Sequence, residues 1–151
     1  MSNTTATTPI FLFAEWIREN SLLRARLQKV DLNSLTEAVI GAAYKVANTL
    51  GAGFLEKLYG RALRKELTLR GLSVTSQVVY PVTYRGLLIG EYTPDLLVED
   101  SLIVELKCVD RFAPIHLAQC PSYLHASGLT HALLLNFQHP KVECRRVTRF
   151  N

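Results

Sequence analysis

The chain has 151 residues, 48% of them apolar and 20% charged, which fits one folded domain with a sizeable core and excludes a low-hydrophobicity disordered chain. Lys and Arg number 17 against 13 Asp and Glu, and the resulting +4 admits a polyanionic partner without requiring one. Cys108, Cys120 and Cys144 are widely spaced, with no CxxC or Cys/His cluster, which argues against zinc and iron–sulfur sites and for reduced thiols.

Met1 to Thr8 is rich in Ser, Thr and Asn and reads as disordered. Pro9 to Ile17 is apolar, but Glu15 interrupts it and it is too short to span a bilayer. Nothing basic precedes it as in a signal peptide, so no membrane and a cytoplasmic location are expected. Ile10 to Val30 carries Phe11, Trp16, Ile17, Leu22, Leu23 and Leu27 among charges and reads as a helix or two short ones. Its apolar residues need a surface, either the domain that follows or a second copy of the chain. Residues 1–33 are thus expected to be an extension and 34–151 the domain.

Leu35, Val39, Ala43, Val46 and Leu50 follow helical spacing. Asn33 or Ser34 is placed to cap that helix, and Gly51-Ala52-Gly53 to end it. Phe54 to Arg70 is predicted as a second helix, with Leu55, Leu58, Tyr59, Ala62, Leu63 and Leu67 on one face and Gly71 as its stop. Lys57, Arg61, Arg64, Lys65 and Arg70 make the other face basic, either a solvated face or a phosphate-facing patch. Strands are predicted over Ser73 to Pro81, Val82 to Tyr84 and Leu87 to Tyr92, with a turn at Arg85-Gly86. Pro114 to Ser127 reads as a helix ended by Gly128, Leu129 to Phe137 as a buried strand, and Val142 to Val147 as a final edge strand. The fold class that follows is α/β with a mixed sheet: helices, a β-meander, a crossover helix and further strands.

The richest stretch is Thr93-Pro94-Asp95-Leu96-Leu97-Val98 followed by Leu102-Ile103-Val104-Glu105-Leu106-Lys107. Two apolar runs joined by Glu99-Asp100-Ser101 read as a hairpin. Glu105 and Lys107 are two apart on one strand and share a face. If Asp95 lies opposite Glu105, all three ionisable groups converge; a one-residue slip sends Asp95 to the opposite face. Two carboxylates and an amine suit a divalent-metal phosphodiesterase using Mg²⁺ or Mn²⁺. Asp95 and Glu105 would be the ligands, the carbonyl of Leu106 a third, and Lys107 would orient a water or stabilise charge on phosphorus. Surface ion pairs are the alternative reading of the same residues.

Pro94-Asp95 with Glu105-Leu106-Lys107 resembles the signature of the PD-(D/E)XK nuclease superfamily, and Gly53-Phe54-Leu55-Glu56-Lys57-Leu58-Tyr59 resembles the motif of the GxxExxY family within it. The likeness runs from about Leu35 to Val147 and includes Leu50-Gly51, Tyr92, Pro114, His116, Ala118-Gln119, Tyr123-Leu124, Ser127-Gly128-Leu129 and Leu134-Leu135-Asn136-Phe137. It implies a restriction-endonuclease-like core with the metal site on the central hairpin. It also implies a glutamate from the first core helix, matched by Glu56, which is otherwise an N-terminal acid favoured by the helix dipole. Tyr59 reads as core. Gln119 and Tyr123 match a Gln-x-x-x-Tyr pair that contacts substrate phosphate or supports the lysine; otherwise they are a solvent-facing amide and a core tyrosine. Pro121 stands between them, where it removes a helical hydrogen bond and is expected to kink the chain. His116 reads as structural, near the rim of the site.

The leading reading is therefore a metal-dependent nuclease acting on nucleic acid, DNA ahead of RNA. The alternatives are a nucleic-acid- or protein-binding module without turnover, and a homodimer subunit joined through residues 10–30.

Overall fold

The computed structural model describes residues 30–149. The chain divides into two units, Met1–Asp31 and Leu32–Asn151, and the fold that follows is that of the second. The expected helix over residues 10–30, Trp16 included, lies outside the described residues but for Val30.

Two helices come first, α1 (Leu32–Leu50) and α2 (Glu56–Leu69). α1 buries Leu35, Val39, Ala43 and Val46 of the stripe its spacing predicts, together with Ala42 and Ala47, but Leu50 at its end is exposed. It begins earlier than expected, so Asn33 and Ser34 lie in its first turn rather than at a cap. The Thr36 hydroxyl donates to the Leu32 carbonyl at 2.7 Å and closes that extra turn. Gly51, at φ +76°, ends the helix with its N–H on the Ala47 carbonyl. α2 is shorter than the predicted run. Leu55 is extended at its N-cap and 65% exposed, not part of the core face. Tyr59, Leu63 and Leu67 carry the burial instead.

The strands are β1 (Val74–Thr75), β2 (Tyr80–Tyr84), β3 (Leu87–Tyr92), β4 (Leu96–Val98), β5 (Leu102–Lys107), β6 (His131–Asn136) and β7 (Glu143–Thr148). Five of them form a mixed sheet in the order β1-β4-β5-β6-β7, with β5 and β6 parallel and the other neighbours antiparallel. The parallel pair is joined by α3 (Pro114–Ser127), the crossover that parallel strands need. The sequence places a strand end at Pro81, yet Tyr80–Tyr84 is one strand. It pairs with β3 alone in a separate two-stranded sheet, where an edge tolerates a proline that cannot donate to a ladder. Arg85 and Gly86 form its turn, both at positive φ. Ser73–Pro81 is not a strand of its own; only Val74 and Thr75 pair, with Val98 and Leu97.

β5 is covered on both faces. Leu106 lies 3.9 Å from the position a Cβ on Gly60 would take, so its face meets α2. Ile103, on the alternate face, packs with Leu97, Leu124 of α3 and Ala132. This explains a strand in which Leu102, Ile103, Val104 and Leu106 are all buried, and why its acid, Glu105, is only 8% exposed. No helix among the described residues is long and apolar enough to cross a membrane.

Candidate active site

The β4–β5 ladder pairs Leu96 with Val104, Leu97 with Ile103 and Val98 with Leu102. One further step along that register brings Asp95 opposite Glu105, the alignment on which convergence depends. The turn holds it there. Glu99 and Asp100 both take φ +52°, Ser101 N–H bonds the Val98 carbonyl at 3.0 Å, and Glu99 is tied to Ser73 through both backbone and carboxylate. β4 starts only at Leu96, so among the described residues the carboxyl end of β5 has no strand partner on that side.

Asp95 and Glu105 lock crosswise over this gap. Asp95 Oδ2 accepts the Leu106 N–H at 2.8 Å, and Glu105 Oε1 faces the Asp95 N–H at 3.4 Å. Glu105 Oε1 also accepts the Tyr92 hydroxyl at 2.6 Å. Asp95 is exposed at the mouth and Glu105 buried behind it. Burial raises the Glu105 carboxyl to about 7, and the nearby Asp95 charge adds to this; the Tyr92 hydroxyl opposes it. The same burial, with the Glu105 hydrogen bond and charge, pushes the Tyr92 phenol well above its ordinary value.

Glu56 opens α2 at the same end of β5. Burial and the Asp95 charge raise its carboxyl, while Lys107 and a hydrogen bond from the Cys108 backbone lower it. Glu56, Asp95 and Lys107 therefore share one field. Glu105 and Lys107 do not pair: among the described residues the ion pairs are Arg70–Glu66 and Arg145–Glu143. Lys107 is half-buried, and its charge also reaches Cys120, whose thiol burial and Glu105 push up to about 11.

What places Glu56 is the loop before it. Gly53 takes φ +107°, open only to glycine at low cost. The buried Tyr59 hydroxyl donates to the Gly51 carbonyl at 2.6 Å and accepts the Phe54 N–H at 3.2 Å. Its ring stacks on Phe137 at 4.8 Å. Tyr59 is thus a core residue that pins the turn from which Glu56 projects.

From the α3 side comes Tyr123, its ring stacked on Tyr92 at 3.9 Å and 4°. Burial and the Glu105 charge raise its phenol. Pro121 lies inside a helix that runs unbroken from Pro114 to Ser127. Gln119, half-buried one turn before Tyr123, makes no hydrogen bond to the described residues, so only Tyr123 of that pair is brought to the acids. His116 caps α3, its Nδ1 accepting the Ala113 N–H at 3.0 Å.

Two contributors fall within the family likeness, but no spacing gives them a role. Tyr92 stands three residues before Asp95 and orients Glu105. The buried Asn136 bonds Val109 through both its amide nitrogen and oxygen, at 2.7 and 3.1 Å, and so fixes the chain leaving Lys107. Phe137 N–H bonds the Lys107 carbonyl at 2.9 Å from the same side. Successive strand carbonyls point opposite ways, so the Leu106 carbonyl faces the Asp95 side, where no strand of the described residues takes it up.

These donors fit a hard divalent cation. Two close carboxylates raise each other's cost of ionisation, and added positive charge relieves it. No group of three His, Cys, Asp or Glu side chains that could hold a metal ion occurs among the described residues, so Glu56 stands outside the Asp95–Glu105 pair. Beside the pair opens a cleft of about 330 Å³ lined by Glu56, Asp95, Leu96 and Leu106 and by side chains of α2.

Among solved structures, the chain is similar to an alkaline exonuclease from Laribacter hongkongensis, at 16% identity and TM-score 0.44 over 72% of this chain and 76% of that one. The same enzyme in complex with dAMP matches at 15% identity and TM-score 0.44, over 76% and 83% of the two chains. A comparison with curated proteins finds no match. The model of the PD-(D/E)XK nuclease superfamily matches residues 33–147, from the first turn of α1 into β7. A family model that takes in α1, the β4–β5 hairpin and α3 covers most of the sequence, and the chain belongs to the PD-(D/E)XK nuclease superfamily.

Proposed function

We propose that this protein is a metal-dependent nuclease that hydrolyses phosphodiester bonds in DNA, and that within its superfamily it is of the GxxExxY type. The observation that carries this reading is the crosswise lock of Asp95 and Glu105 at the open end of β5.

In this reading Asp95 and Glu105 hold Mg²⁺ or Mn²⁺, the Leu106 carbonyl adds a neutral oxygen, and Glu56 assists from α2. Bound there, the cation supplies Lewis-acid polarisation of the phosphate and a more acidic water. Lys107 orients the attacking water and offsets charge gathering on the phosphate oxygens. Tyr92 keeps one Glu105 oxygen directed by its hydrogen bond, the supporting role that outer partners of metal ligands take. Tyr123 and Gln119 lie on α3 and contact the substrate phosphate. The Gly53-to-Tyr59 segment supports the GxxExxY assignment: its glycine allows the turn, its tyrosine pins it, and its glutamate faces the Asp95 charge.

The test is cleavage of single- and double-stranded DNA and RNA with and without Mn²⁺. Metal-dependent DNA cleavage that Lys107→Ala abolishes, with the fold intact by circular dichroism, is expected. Cleavage unchanged in that variant would remove the reading.

A further inference from the structure

α2 presents two sets of positive charge, and only one faces the candidate site. Lys57, Arg61 and Arg64 line the cleft that also holds Glu56 and Asp95, whereas Lys65 and Arg70 do not. The spacing i, i+4, i+7 puts those three on one stripe of the helix. Lys65 falls off it, and Arg70 is paired with Glu66 at 3.0 Å. Ser76 and Gln77 form the opposite wall. Arg64 is held across the cleft by its hydrogen bond to Ser76 Oγ at 2.9 Å, and Gln77 takes φ +63° where the wall turns.

The stripe is directional. Its acidic end, at Glu56 and Asp95, is where α2 begins, and its basic side chains extend along the helix away from it. From Lys57 to Arg64 the helix rises about 10 Å, so the three cations can each meet a separate backbone phosphate of one strand. None of the three cations takes part in an ion pair among the described residues.

We propose that Lys57, Arg61 and Arg64 form a phosphate track that holds about three backbone phosphates of one nucleic-acid strand and leads it to the Asp95–Glu105 pair. The inference rests on the nuclease reading for its ligand class but not on turnover. Phosphate contacts of this kind position a strand without reading its sequence. The track is therefore indifferent to base identity, and the strand runs along α2 rather than over the exposed hairpin of β2 and β3.

The experiment is fluorescence anisotropy of a labelled oligothymidylate against the full chain in EDTA, where no cleavage occurs, over a series of salt concentrations. Each lost phosphate contact lowers the slope of log affinity against log salt by about 0.7 for a single strand. Lys57→Gln, Arg61→Gln and Arg64→Gln are each expected to show that drop and the triple variant a drop of about 2. Arg61→Lys should keep the slope, and Lys45→Gln on α1 should change nothing. Full slope in the triple variant would overturn the track while leaving the nuclease reading to its own cleavage test. Equal displacement of the probe by polyglutamate at matched charge would overturn it in favour of an acidic protein partner. No binding by the unaltered chain would overturn it together with the nucleic-acid assignment.

Discussion

The Tyr92 hydroxyl donates to Glu105 Oε1 at 2.6 Å while its ring lies flat against Tyr123. One side chain thus joins the acid of β5 to α3. Tyr92→Phe keeps the stack and removes only the donor. Without it the Glu105 carboxylate loses a favourable hydrogen bond, and metal affinity should fall about 10- to 100-fold, as for other partners of ligating groups. Calorimetric titration with Mn²⁺ reads this directly; an unchanged affinity would show that the hydroxyl does not orient the acid.

Tyr123→Ala should act differently. It leaves the Glu105 hydrogen bond in place and removes the stacked ring, worth about 0.5–1.5 kcal/mol beyond area burial. Urea unfolding should show at least that loss, with metal affinity less affected than in Tyr92→Phe. The reverse order of the two effects would place Tyr123, not Tyr92, as the partner of the metal ligand.

The pH dependence follows from Glu105. Its carboxyl titrates near 7 in the metal-free fold against 4.5 as the ordinary value. The folded state therefore binds the proton more tightly, so this group's contribution to stability is full below about 4.5 and lost as pH rises towards 7. Melting temperature in EDTA should fall across that window. Added Mn²⁺ needs the ionised form, so its stabilising shift should grow over the same range. Glu105→Gln should remove both trends, and their persistence in that variant would assign them to another group.

Tyr59→Phe tests the turn before α2. It deletes the hydroxyl that bridges Gly51 and Phe54 and leaves the stack on Phe137. The expected cost is about 1–3 kcal/mol, from two lost hydrogen bonds at a partly buried site. Cleavage should fall further than stability, because Glu56 projects from that turn. Equal loss in Phe54→Ala, which keeps the Phe54 N–H of the bridge and removes only the ring set edge-on to Tyr59, would refute the specific role of the hydroxyl.

Much of the hairpin was legible because a sheet has a period of two and a three-residue break fixes the register: Asp95 opposite Glu105 follows from centring the turn on Asp100. α3 was legible to the residue, since Pro114 opens it and Gly128, at φ +73°, closes it. Single-residue signals failed where the surrounding structure decided the outcome. Asn33 and Ser34 look like caps, yet the Thr36–Leu32 bond extends the helix past them. Pro81 looks like a strand end, yet its strand has a free edge. The Tyr92–Tyr123 stack joins residues far apart in the chain, so no spacing could announce it. Lys57 and Lys65 were equivalent charges until the cleft separated them.

The central claim is that Asp95 and Glu105 together hold a divalent cation. The most direct measurement is Mn²⁺ titration calorimetry at pH 8 on the unaltered chain, Asp95→Asn and Glu105→Gln, with circular dichroism to show all three folded. One site per chain that disappears in both variants is the predicted result. No binding at millimolar Mn²⁺, or binding that survives both substitutions, would contradict it.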